Sequence, residues 1–246
     1  MNIVIDIGNT RYKAAVFEEE QLVESIESKD WEAVTALCCR YACQYALLSS
    51  VRKPEANLLE ALQGVLSSPL LLLSHQTPVP LQNLYHTPET LGMDRLAAVV
   101  GAQGLYPQHN CLVIDAGTCI TYDLVDAQGR YQGGLISPGV ALRLQAMHHF
   151  TQKLPLLPWE ASQALPALEG KSTAEAMQGG AVRGTIQEME GLIGSFAIQY
   201  PDLKVLICGG DTFFFESMIK QPIFAVQKLV LFGLNRILRY NVSQKN

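Results

Sequence analysis

VIDIGNTRYK (residues 4–13) carries an apolar strand to an acid, Asp6, and then reverses through Gly8, Asn9 and Thr10 into a second strand. An acid at such a tip ordinarily closes the turn, because Asp, Asn and Gly hold turn geometry cheaply. The other role is to face a ligand that the turn brings close. CLVIDAGTCITYDLVD (residues 111–126) repeats the pattern of apolar run, Asp115, Gly117, Thr118 and second strand. A third apolar run, residues 204–208, ends on Gly209, Gly210 and Asp211. Two acids in matched contexts weigh towards the ligand role, although Gly209 and Gly210 also suit a plain strand-to-helix turn.

Working outward, short strands are expected over 3–6, 12–18 and 22–26, an amphipathic helix over 31–41, strands over 44–50 and 70–74, and a helix over 55–64 between them. Residues 76–88 read as a loop and 93–101 as a helix. The order then restarts, with strands over 112–115, 120–125 and 133–137, a helix over 140–150, a Pro- and Leu-rich loop, a long helix over 173–200 and a strand over 204–208. This is the pattern of a duplicated α/β domain, the copies at 1–110 and 111–246, with the active-site cleft expected between them.

Composition excludes several classes of function. The 246 residues are 48% hydrophobic and 17% charged, which fits an ordered fold with a sizeable core. A net charge of −5, with 18 basic residues scattered, offers no cationic stripe for a nucleic acid. No stretch supplies the roughly 20 predominantly apolar residues of a membrane span, and no basic, apolar leader precedes Asp6. The six cysteines lack metal-ligand spacing, so buried thiols and a cytoplasmic location are expected. His148 and His149 are adjacent rather than one helical turn apart, which fits a surface pair better than a metal site.

The chain has neither a P-loop nor a dinucleotide fingerprint. Two hairpin turns can still hold phosphates through backbone N–H groups and the small donors Asn9, Thr10 and Thr118, while Asp6 and Asp115 hold cations that offset the phosphate charge. Lys13 reaches a phosphate as a point charge or stands solvated on its strand. Arg95 is suited to grip a carboxylate through two parallel N–H bonds. Its neighbour Asp94 can accept the proton of an attacking hydroxyl. The alternative for this pair is an Asp-Arg surface pair at a helix start, where an acid complements the dipole.

DIGNTRYK (6–13), GMDR (92–95), DAGTCIT (115–121), GGLISPG (133–139), STAEAMQGG (172–180) and ICGGD (207–211) occur in this order. Together they resemble the type III pantothenate kinases, of the superfamily of actin, sugar kinases and heat-shock chaperone ATPases. The resemblance implies two ribonuclease H-like domains of the actin-like ATPase fold. It also implies ATP-dependent phosphorylation of pantothenate, the first step of coenzyme A synthesis. On this resemblance Asp6, Gly8, Asn9, Thr10 and Lys13 bind ATP phosphates with Asp6 near Mg2+, and Thr118 adds an ATP contact. Asp115 binds a monovalent cation, K+ or NH4+. Asp94 is the proton acceptor. Tyr85, Gly92, Met93, Asp94, Arg95 and Thr173 contact pantothenate. Met93, where the motif tolerates variation, and Thr212, where a small residue is common, are small departures from the family pattern.

The competing functions are a kinase of another small hydroxylated substrate, a catalytically silent binding relative, and a filament-forming ATPase. The last would want insertions for which the chain has little room, and the intact acids weigh against silence. A homodimer is expected, with the helix after Gly139 and segment 91–100 as candidate contacts.

Overall fold

The computed structural model describes residues 1–8, 11–161 and 164–244. In chain order the elements are β1 (Asn2–Ile7), β2 (Tyr12–Glu18), β3 (Gln21–Ser28), α1 (Glu32–Arg40), β4 (Tyr45–Ser50), α2 (Ala56–Val65), β5 (Leu71–Leu72), β6 (Gln82–Asn83), a 3-10 turn (Pro88–Thr90) and α3 (Met93–Leu105). There follow β7 (Cys111–Ala116), β8 (Cys119–Val125), β9 (Arg130–Pro138), α4 (Val140–His149), α5 (Thr173–Gln199), β10 (Lys204–Cys208), α6 (Thr212–Met218), β11 (Phe224–Ala225) and α7 (Leu229–Ser243). They divide into two compact units. The first is Met1–Gln108, Ala127–Gln132 and the segment from Lys228, and the second is His109–Asp126 and Gly133–Gln227.

In the first unit the strand order is β3-β2-β1-β4-β5, with β1 antiparallel to β2 and parallel to β4. Alternation along β1 explains how both faces are covered. Ile3, Ile5 and Ile7 join Val34, Leu37, Leu58 and Leu62 of α1 and α2. Val4 points the other way, into a cluster with Ala97 and Val100 of α3 and Leu231, Leu234, Ile237 and Leu238 of α7. By the same alternation Asp6 shares the face of Val4, at the end of a strand whose interior is apolar.

The second unit repeats this order as β9-β8-β7-β10-β11. Again the first strand of the hairpin, β7, is antiparallel to its successor and parallel to the strand that follows the helices. Leu112, Ile114, Ile120, Tyr122 and Leu124 bury against Leu144 of α4, Met177, Val182, Ile186 and Met189 of α5, and Phe215 of α6.

The units depart from a simple cut near residue 110. Segment 127–132 goes with the first unit because β6 pairs in parallel with the opening of β9, Gln82 opposite Arg130 and Asn83 opposite Tyr131. The chain's end goes there too, since the apolar stripe of α7 finds its cover on β1, β2 and α3. Among the described residues no helix is long and apolar enough to cross a membrane.

Candidate active site

The first unit carries the hairpin of β1 and β2. Asp6 is only 8% exposed and lies directly opposite Lys13, whose side chain is exposed. Residues paired in this way send their side chains to one face of the sheet. The Gly8 N–H donates to the Arg11 carbonyl at 3.0 Å. Asn9 and Thr10 lie outside the described residues.

The GMDR stretch opens α3, with Gly92 as the residue before its first turn. Asp94 folds back so that Oδ1 accepts from the backbone N–H of Arg95 at 2.9 Å. A Cβ on Gly92 would sit 2.5 Å from that same Oδ1, so any side chain there would push the carboxylate away. Arg95 is 7% exposed, and its guanidinium carbon lies 5.7 Å from the centre of the Tyr85 ring. A cation over an aromatic face is held by the ring quadrupole. Tyr85 in turn stacks on the fully buried Tyr131, with ring centres 6.0 Å apart and planes at 17°, while its N–H donates to Asn83 Oδ1. Arg95 thus meets Tyr85 from the loop, while Gly92, Asp94 and Arg95 touch one another at the helix start beside Met93.

In the second unit Asp115 ends the apolar part of β7, half-buried, opposite Thr121 on β8 and Cys208 on β10. The hairpin is closed by Gly117 N–H donating to the Cys119 carbonyl at 3.1 Å. Thr118 is exposed, and its carbonyl accepts from the Gly139 N–H at 2.9 Å. Gly209 has φ +97°, and a Cβ there would lie 2.3 Å from the Ala116 carbonyl oxygen and 2.4 Å from Asp115 Oδ1. Only glycine tolerates both the conformation and the approach. The backbone at Gly209 therefore packs directly against the Asp115 carboxylate. Among the described residues no group of three or more His, Cys, Asp or Glu side chains is placed to hold a metal ion. Asp211, one turn on, has its carboxyl pushed up by burial. Thr173 is the exposed first residue of α5, after Ser172, whose Oγ accepts from the Glu175 N–H at 3.2 Å.

Sequence reading passed over two sets of residues. Arg52 donates from Nε to the Gly8 carbonyl at 3.2 Å and from Nη2 to the Tyr12 hydroxyl at 2.9 Å, and pairs with Glu55. Bonds from Tyr12 and Arg52 hold the Glu55 carboxyl below its usual range. In the second unit Glu188 accepts from the Tyr122 hydroxyl at 3.0 Å and from Arg143, which also donates to the Pro138 carbonyl at 2.8 Å. Burial pushes the Glu188 carboxyl up, but bonds from Arg143, Ser137 and Tyr122 outweigh it and hold the group low. Burial, reinforced by the Glu188 charge, pushes the Tyr122 phenol up. The one local signal for either set is the three-residue spacing of Arg52 and Glu55.

The family model described as type III pantothenate kinase matches residues 2–195. The type III pantothenate kinase of Phocaeicola vulgatus is 46% identical over 243 residues, covering 98% of this chain and 99% of that protein. Among solved structures, a Baf family protein of Campylobacter jejuni superposes with a TM-score of 0.63 at 20% identity, covering 98% of this chain and 99% of that one. The ROK hexokinase of Thermus thermophilus gives 0.51 at 14%, with 98% and 99% covered. These likenesses show the fold, which is the two-domain actin-like ATPase fold. With a family match over most of its length and a relative this similar from end to end, the chain belongs to the type III pantothenate kinases.

Proposed function

We propose that Asp94 and Arg95 form the acceptor half of the reaction, and that the hairpins at Asp6 and Asp115 serve the donor. The overall activity follows from the family: the chain phosphorylates pantothenate, with ATP as the donor, in coenzyme A biosynthesis. The observation that carries the assignment of roles is the pinned Asp94. One carboxylate oxygen is committed to the Arg95 N–H, which leaves Oδ2 to take a proton. As the primary hydroxyl of pantothenate attacks, an O–P bond forms to the γ-phosphorus and the bond to the β,γ-bridging oxygen breaks. The hydroxyl proton passes to Asp94, and ADP departs. Arg95, held over Tyr85, is proposed to offer the in-plane N–H donors of its guanidinium edge to the pantothenate carboxylate. Met93 and Thr173 complete the proposed acceptor contacts.

On the donor side, Gly8, Asn9, Thr10, Lys13 and Thr118 are proposed to contact the phosphates. Mg2+ is proposed at Asp6 and K+ or NH4+ at Asp115, because a carboxylate suits a hard cation and the charge of such ions would offset that of the triphosphate. A homodimer remains part of this reading. Of segment 91–100, Leu91 and residues 96–100 are at most 4% exposed within the chain itself, so only Gly92, Met93 and Asp94 are left to reach a partner. The exposed apolar residues Leu135, Ile136 and Phe150, on β9 and after α4, are the better candidates. Light scattering that returned the monomer mass with full activity would refute the dimer. A cytoplasmic location accords with six cysteines present as thiols, and the acidic net charge speaks against a nucleic-acid partner. A coupled ADP-release assay with pantothenate against a panel of sugars and polyols tests the acceptor. Turnover on pantothenate alone is expected, and turnover on a sugar alone would overturn the reading.

A further inference from the structure

We propose that Arg52 is a positioning residue of this kinase, a brace that ties Gly8 to Tyr12 at the two ends of the first hairpin turn and so supports the binding of the ATP phosphates there. The proposal rests on the reading that this hairpin binds ATP. Gly8 and Tyr12 stand on opposite legs of the turn, and a single guanidinium reaches both, through Nε to the Gly8 carbonyl and Nη2 to the Tyr12 hydroxyl. The third nitrogen, Nη1, meets Glu55 Oε1 at 2.5 Å, and the guanidinium carbon lies 5.2 Å from the centre of the Tyr12 ring. All three nitrogens of the fork are therefore engaged, an arrangement that the point charge of a lysine cannot reproduce.

The base of the brace is itself held. The Arg52 N–H donates to Ser50 Oγ at 3.2 Å, Ser50 Oγ donates to the Arg52 carbonyl, and the Val51 N–H donates to the Ile7 carbonyl at 3.1 Å. The end of β4 is thereby joined to the end of β1 on the flank of the hairpin. Stability of the sheet comes from elsewhere, from Ile3, Ile5, Ile7, Leu48, Leu58 and Leu62, each 2% exposed or less. The Arg52–Glu55 pair, with side chains 34% and 37% exposed, adds little to folding, as solvent-screened pairs do. What the contacts constrain is the placement of Gly8 and Tyr12, the described ends of the turn, and preorganised binding groups bind their ligand more tightly.

Steady-state kinetics on the full chain, with melting temperatures, test this with Arg52→Gln, Arg52→Lys and, as the control for the hairpin itself, Lys13→Ala. Both Arg52 variants are expected to raise KM for MgATP about tenfold, the worth of a charge-assisted hydrogen bond, while kcat, KM for pantothenate and the melting temperature hold. An unchanged KM for MgATP in both, with a raised value in Lys13→Ala, would overturn the role of Arg52 and leave the hairpin reading intact. Unchanged values in all three would overturn both. A general collapse of kcat together with a lowered melting temperature would make Arg52 a folding residue and overturn the proposal. Should Arg52→Gln not fold, Arg52→Lys and Tyr12→Phe, which keeps the ring and removes the hydroxyl, decide by the same criteria.

Discussion

Oδ1 of Asp94 accepts the backbone N–H of Arg95 at 2.9 Å, so the acid is oriented by the residue that follows it. The contact satisfies a donor of the first helical turn, which is the ordinary work of an acid at a helix start. It also fixes the carboxylate beside a buried arginine, with one oxygen left over. The structural and catalytic roles are therefore compatible in one side chain, and kinetics can separate them.

Asp94→Asn is nearly isosteric and keeps the Oδ1 contact while removing the capacity to take a proton. The turnover number should fall by about 10²–10⁴, the usual worth of positioned proton transfer, with binding of both substrates retained. The lower end is expected, because a loose phosphoryl transition state asks more of charge stabilisation than of its base. Near-normal turnover with a stability loss of about 0.3–1 kcal/mol, the worth of an acid's charge at a helix start, would leave Asp94 with a structural role only.

Arg95→Lys keeps the charge but loses the planar fork and its seat over Tyr85. A cost of about 1.5–3 kcal/mol, roughly 10- to 150-fold, is expected in pantothenate binding, with ATP binding little changed. Isothermal titration with each substrate reads the two separately. Unchanged pantothenate affinity would place the substrate carboxylate elsewhere.

On the proposal that Asp115 binds a monovalent cation, replacing K+ by Na+ should raise KM for ATP. Asp115→Asn should raise it in both salts and abolish the difference between them. Initial rates in chloride salts of matched ionic strength make the comparison. Equal kinetics of the native enzyme in the two salts would count against an ion at Asp115.

Glu188→Gln tests the acid that ties Tyr122 to Arg143. Because hydrogen bonds hold the Glu188 carboxyl below its ordinary range in the fold, its stabilising contribution is present above the unfolded-state value near pH ~4.3 and fades as pH falls through the lower, folded value. The variant should be less stable by about 1–3 kcal/mol at neutral pH, and the gap should narrow as the buffer is taken below about pH 4. Urea unfolding at pH 7 and at pH 3.5 measures it. A gap of equal size at both would assign the effect to packing.

Local pattern by itself determined the alternation along β1 and β7, the acid at the end of each strand's apolar run, the glycine turns that follow and the start of α3 at GMDR. These features depend on neighbours two to four residues apart, where side-chain periodicity and turn chemistry act directly. The repeated order of strands was readable for the same reason, since each copy spells out its own hairpin. Tertiary structure alone decided that α7 covers the sheet of the first unit, a choice an apolar stripe leaves open because it asks for cover without naming the surface. It alone set Tyr85 between Tyr131 and Arg95, over separations of 46 and 10 residues. It alone brought Arg52 to Gly8 and Arg143 to Glu188, 44 and 45 residues apart. Such contacts form only after loops close and cores pack, and their specificity lies in the placement of whole elements rather than in any run of neighbouring residues.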